Sequence, residues 1–170
     1  MLARMTLLAL LVFASPGFAF DQTHANWNQV LKDYLTADGL LRYKDLKAAV
    51  KPGHPMQIYL GEVTAVKKSE YKTWARQEQM AFLINAYNAL TVKLILDNYP
   101  VESIKKIGSL FKTPWAIEFF SLLEGDLKAL DPIEHTVLRP TFKDYRIHAA
   151  VNCASYSCPP LRGEAFVGPK

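Results

Sequence analysis

MAFLINAYNALTVKLIL, Met80 to Leu96, decides the fold. Its apolar residues run nearly all the way round a helix, the pattern of a segment buried at the centre of a domain. The surrounding residues predict a helix from about Tyr71 to Asn98, with Ser69 as its N-cap and Tyr99-Pro100 as its stop. Three polar residues, Glu78, Asn85 and Asn88, interrupt the apolar surface. At about 100° per residue they fall within roughly 80° of one another, bordered by Ala81 and Ala89. A narrow polar strip edged by alanines lets another segment approach closely. Two roles are open to it: hydrogen bonds to neighbouring backbone, or one wall of a site.

Upstream, NWNQVLKDYL places Trp27, Val30, Leu31, Tyr34 and Leu35 on one face of a short helix that Asp38-Gly39 stops. LLRYKDL reads as a short extended piece or a turn, KPGHP as a loop, and MQIYLGEVTAV as a weak helix interrupted by Gly61. Downstream, AIEFFSLL and DLKAL flank Glu124-Gly125, predicting a hairpin over 116–130. DPIEHTVLRP carries full helix punctuation: Asp131 as N-cap, Pro132 as first helical residue, Glu134 three after the cap, and Pro140 as terminator. YRIHAAV, 145–151, reads as a strand and NCASYSCPP as the tight loop leaving it. The fold class expected is α+β: a mostly helical single domain over 20–170, with a long buried central helix and a small antiparallel sheet.

The composition permits one domain with a real core, since the 170 residues are 50% hydrophobic and 12% aromatic. The net charge of +4 does not point to nucleic acid, because the basic residues are scattered and no basic stripe is interleaved with stacking aromatics. Residues 1–19 read as a leader: Arg4, an apolar run over Leu7–Ala14 too short to span a bilayer, then small residues at Gly17 and Ala19. Cleavage after Ala19 would remove Arg4 and no acid, leaving 19 basic residues against 16 acidic and a charge of +3. An uncleaved N-terminal anchor is the rival reading. The expectation is a periplasmic or secreted protein with no transmembrane segment after cleavage, in a compartment where thiols can pair.

Both cysteines lie in HAAVNCASYSCPP, within ten residues of His148. Three readings stay open. Cys153 and Cys158 can form a disulfide that pins a small loop, worth about 2 kcal/mol by chain entropy. One of them, Cys153 before Cys158, can be a nucleophile with His135 or His148 as base and Asn152 or Asn85 as orienting amide. On a regular strand His148 would share a face with Asn152 and not with Cys153, so a His148–Cys153 pair needs the strand to end or bulge by Val151. A metal site is the weakest of the three, because the spacing fits no zinc pattern. No cofactor is called for.

The segments EQMAFLINAYNALTVKLILDNYPVESIKKIG, DPIEHTVLRP and RIHAAVNCASYSCPPL together resemble the family catalogued as domain of unknown function 547, which has bacterial members and plant members with additional domains. The likeness covers roughly Trp74 to Phe166 in three ordered motifs. It implies that Glu78, Gln79, Asn85, Tyr87 and Asn88 belong with Glu134, His135 and Arg139, and with His148, Asn152, Cys153, Ser155, Ser157 and Cys158. It also implies further helix after the cysteine motif, so the domain is expected to be C-terminally incomplete at Lys170. It brings no reaction with it.

Two functions follow. One is an envelope binding or interaction module, in which the Cys153–Cys158 bond fixes a recognition loop. Its ligand or partner would be met by Glu78, Asn85, Asn88, Glu134, Arg139, Ser155 and Cys158. The other is a cysteine-dependent hydrolase or acyl transferase using a histidine base. In papain-like and transglutaminase-like folds the cysteine precedes the histidine and starts the central helix, an order this chain does not have.

Overall fold

Trp27, Val30 and Leu31 share one face of α1 (Ala25–Tyr34) and are buried, as their spacing predicts. The computed structural model describes residues 19–155 and 158–168; apart from Ala19, the expected leader lies outside them. α1 packs on α3 (Pro55–Ala65), and α3, together with α2 (Tyr43–Ala49), packs on the central helix. The stretch expected as extended or turn is therefore partly helical, with Leu46 as its buried anchor. α3 is a full helix despite Gly61, because its start is well made. Pro55 supplies a preset φ, and the His54 ring accepts the Met56 N–H at Nδ1 (3.1 Å).

His24 finds its partner across the fold. Its Nδ1 lies 2.7 Å from the Tyr59 hydroxyl, in a pocket closed by Phe20. Burial pushes His24 down to about 4 and holds the Tyr59 hydroxyl protonated well above its ordinary range, so Tyr59 donates and the imidazole accepts.

The predicted long helix is divided. α4 (Lys68–Tyr71) ends in a turn, and α5 (Arg76–Asp97) begins anew. Ser69 thus lies inside α4 and does not cap the central helix. The cap comes from within α5, where the Glu78 carboxylate accepts the Ala75 N–H (2.8 Å). Gln79 ties down the intervening corner, its Nε2 donating to the carbonyls of Tyr71 and Trp74 at 3.1 Å each. From Ala81 to Leu96 every residue of α5 except Lys93 is buried. Elements cover it on all sides, which is why its apolar residues show no preferred face.

No sheet forms among the described residues, which corrects the α+β expectation: the fold is mostly helical, with isolated bridges and no antiparallel sheet. The 116–130 segment does reverse. Leu122 and Leu127 exchange backbone hydrogen bonds of 2.9 and 3.2 Å, and Leu123, Glu124 and Gly125 turn the corner at positive φ. That single bridge has no third strand beside it, and a lone two-stranded ribbon does not extend by itself in water. The segment expected as its neighbour, 145–151, is instead a helical turn, α7 (Ile147–Ala150). Asp144 initiates it by accepting the Arg146 N–H (2.9 Å), and Ile147 is the side chain it buries in the core.

The punctuation of DPIEHTVLRP also needs correction. Asp131 makes no side-chain cap, and Pro140 does not end the helix. Pro132–Leu138 is π-helical and runs directly into α6 (Arg139–Phe142), which Lys143 stops in the left-handed conformation. The register change is visible in the Arg139 N–H, which reaches back five residues to the Glu134 carbonyl. Proline lacks the N–H that an α-helical register would use at 140 and crowds the carbonyl four residues earlier. A widened turn accommodates both defects.

Candidate functional site

The amide strip of α5 holds the C-terminal segment by its backbone. Asn88 donates from Nδ2 to the Ala150 carbonyl (3.0 Å) and accepts the Asn152 N–H at Oδ1 (2.8 Å). One turn earlier, Asn85 does the same to a single residue, donating to the Phe166 carbonyl (2.8 Å) and accepting its N–H (3.0 Å). A carboxamide presents the donor–acceptor pair of a peptide group, so each asparagine stands in for a neighbouring strand. Both are buried, and in the core their hydrogen-bonding groups need these partners. Asn28 on α1 adds a third fastening by accepting the Ala165 N–H (2.7 Å). The strip thus faces the segment that carries the cysteines.

Between the two clamps the chain makes the cysteine loop. Asn152 shapes its entry and exit, accepting the Ala154 N–H (2.8 Å) and donating to the Pro159 carbonyl (2.6 Å). Cys153 and Cys158 are joined in a disulfide, with Cα atoms 6.1 Å apart. Ser157, inside this loop, lies outside the described residues. The loop forms one wall of a cavity of about 490 Å³. Leu41, Ile95 and Ile104 also line it, with Asp38, Glu102, Tyr43 and Tyr99. Burial holds the Tyr43 hydroxyl protonated well above its ordinary range. Gly39 lets the wall close: its φ is 77°, and an added Cβ would lie 2.5 Å from Pro160 Cβ.

A second cluster surrounds the π-helical turn. Glu134 and Arg139 lie five positions apart, about 140° around an ordinary α-helix and unable to meet. The widened register brings them together, so Arg139 donates to Glu134 Oε1 from Nε (3.0 Å) and Nη2 (2.6 Å). Nη2 also lies 3.0 Å from His148 Nδ1. A guanidinium has no acceptor, so Nδ1 of His148 accepts and the ring hydrogen resides on Nε2. The Tyr87 hydroxyl is held protonated well above its ordinary range, first by burial and then by the Glu134 and Asp131 carboxylates. His135 is exposed and stands 4.0 Å from Glu134 Oε2.

These residues thus gather into two groups. Asn88 and Asn152 meet at the disulfide loop, and Glu134, Arg139 and His148 meet at the surface beside α6. Glu78 is occupied at the head of α5 and Asn85 at Phe166. Among the described residues neither His135 nor His148 hydrogen-bonds a cysteine, and no free thiol exists. The expected shared face of His148 and Asn152 does not arise, because His148 sits on the helical turn α7 and Asn152 follows it. Asp38, Tyr43, Tyr99 and Glu102 carry no site signal in the sequence, where Asp38 and Tyr99 read only as helix stops. They come from loops and a short helix with no motif of their own, and only tertiary packing brings them to the cysteine loop.

These features define a class: a helical domain whose C-terminal strap is fastened to a buried central helix by side-chain amides and closed by a short disulfide. Residues 71–170 match the model of the family described as "Protein of unknown function, DUF547", and the chain belongs to that family. No curated protein and no solved structure matches it.

Proposed function

We propose that this chain is a ligand-binding module of the cell envelope, with the disulfide loop as the fixed wall of its binding cavity. The observation that carries the reading is the position of that bond: both sulfurs are spent in it, and its loop lines the 490 Å³ cavity. A cysteine catalyst needs a thiolate beside a base, and here the sulfurs are bonded while the His148 Nδ1 lone pair is taken by Arg139. A bonded pair also suits the periplasmic or extracellular setting that the leader-like N-terminus suggests.

The lining selects the ligand class. Apolar side chains on the cavity wall, with Asp38 and Glu102 among them, suit a compact apolar group bearing an amine. The thiol test comes first. The native protein should show no thiol to a chromogenic disulfide reagent and two after denaturation with reductant, whereas a fast-reacting thiol at neutral pH refutes the module reading. Hexylamine should then raise the melting temperature of the oxidised protein and hexanoate should not. Equal shifts, or none, refute the ligand assignment.

A further inference from the structure

Leu110 and Phe111 are 97% and 98% exposed, further out than any other large apolar side chain described. They form the tip of a tight reversal in which Ser109 and Lys112 exchange backbone hydrogen bonds, the Ser109 N–H donating at 2.9 Å and the Lys112 N–H at 3.4 Å. The Ser109 hydroxyl accepts the Phe111 N–H (3.3 Å). Gly108 is required beneath the turn, since an added Cβ would lie 2.6 Å from the Lys112 carbonyl oxygen. The two side chains are therefore held out by built structure.

We propose that this turn is a membrane-docking tip that inserts Leu110 and Phe111 into the interfacial region of an anionic bilayer. Three observations select lipid over a protein partner. The two side chains at the tip stand almost wholly in solvent, and a bilayer demands no shape complementarity of them. Much of the tip's main chain is already hydrogen-bonded within the turn, so few polar groups would be stripped of water without a partner. Finally, residues 103–115 carry Lys105, Lys106 and Lys112 and no carboxylate, a local charge complementary to anionic headgroups.

The test is co-sedimentation of the full chain with large vesicles of equal parts phosphatidylglycerol and phosphatidylcholine, and with vesicles of phosphatidylcholine alone. The anionic vesicles should bind the chain about 100-fold more tightly than the neutral ones, from the three lysines together. The L110S/F111S variant should lose on the order of 100-fold in affinity. Because both side chains are solvent-exposed, its melting temperature should match the parent's. Trp115, which follows the turn, should shift its emission on binding in the parent and not in the variant. Absence of binding to anionic vesicles, or undiminished binding by L110S/F111S, overturns the proposal, including the case in which the tip docks on a protein.

Discussion

If Asn88 replaces a missing strand for the cysteine loop, Asn88→Ala should both destabilise the fold and loosen the disulfide. The substitution removes a donor to the Ala150 carbonyl and an acceptor from the Asn152 N–H. Each unmade bond costs about 1–3 kcal/mol. Ala150 and Asn152 are only half-buried, so water recovers part of this and the lower end applies to each. With the lost packing of a fully enclosed carboxamide, the total is about 2–3 kcal/mol, or a fall in melting temperature of about 4–12 °C for a chain of this size. Urea denaturation with an unchanged m-value measures the first effect, and the rate of disulfide reduction by dithiothreitol measures the second. Asn85→Ala is the comparison. It severs an equivalent pair at Phe166, so it should cost a similar free energy yet leave the reduction rate near the parent's. An Asn88→Ala penalty below about 0.5 kcal/mol, or equal acceleration in both variants, would refute the clamp.

The acid limb of stability should carry the signature of His24. An unfolded histidine takes up its proton near 6.5 and the buried one near about 4, so stability falls as pH drops through that window, by about 3 kcal/mol, and levels off below it. Denaturation midpoints across this range should slope in the parent and flatten in His24→Gln. Replacing Cys153 and Cys158 together with serine should cost about 2 kcal/mol, measured against the oxidised parent in urea; a loss near 5 kcal/mol would mean the bond holds more than a six-residue loop. In nitrogen-15 spectra of the parent, His148 Nδ1 should show the unprotonated, acceptor signature, and Arg139→Gln should redistribute the ring hydrogen between the two nitrogens. An unchanged tautomer ratio would mean Arg139 does not set it.

The helical portion was legible because its signals are local. The apolar run of α5 and the Trp27–Val30–Leu31 face each act within a turn or two of chain. The sheet failed for the opposite reason. AIEFFSLL and YRIHAAV carry strand-like composition, but a ladder needs a partner of the right length in the right place, and the Asp144–Arg146 turn winds 147–150 helically instead. The π register was invisible because it resolves a conflict at Pro140 that the capping pattern alone predicts as a stop. In the site, the strip at Glu78, Asn85 and Asn88 was legible from periodicity, while its occupation was not. A buried carboxamide looks the same in sequence whether it meets a ligand or a peptide group, and here two of them meet peptide groups.

One consequence of those clamps concerns variation. The hydrogen bonds of Asn85 and Asn88 to residues 150, 152 and 166 all go to main-chain atoms, so these bonds do not depend on the side chains at those three positions. A β-ladder would have demanded alternation and register from its neighbour; two carboxamide rivets demand only a peptide group at each of two points. Variation between the rivets is limited by other contacts: Val151, Leu161 and Ala165 are buried in the core, and Cys153 and Cys158 are bonded to each other. The exposed positions 162–164, between buried Leu161 and Ala165, are where the strap can change at least cost to the core.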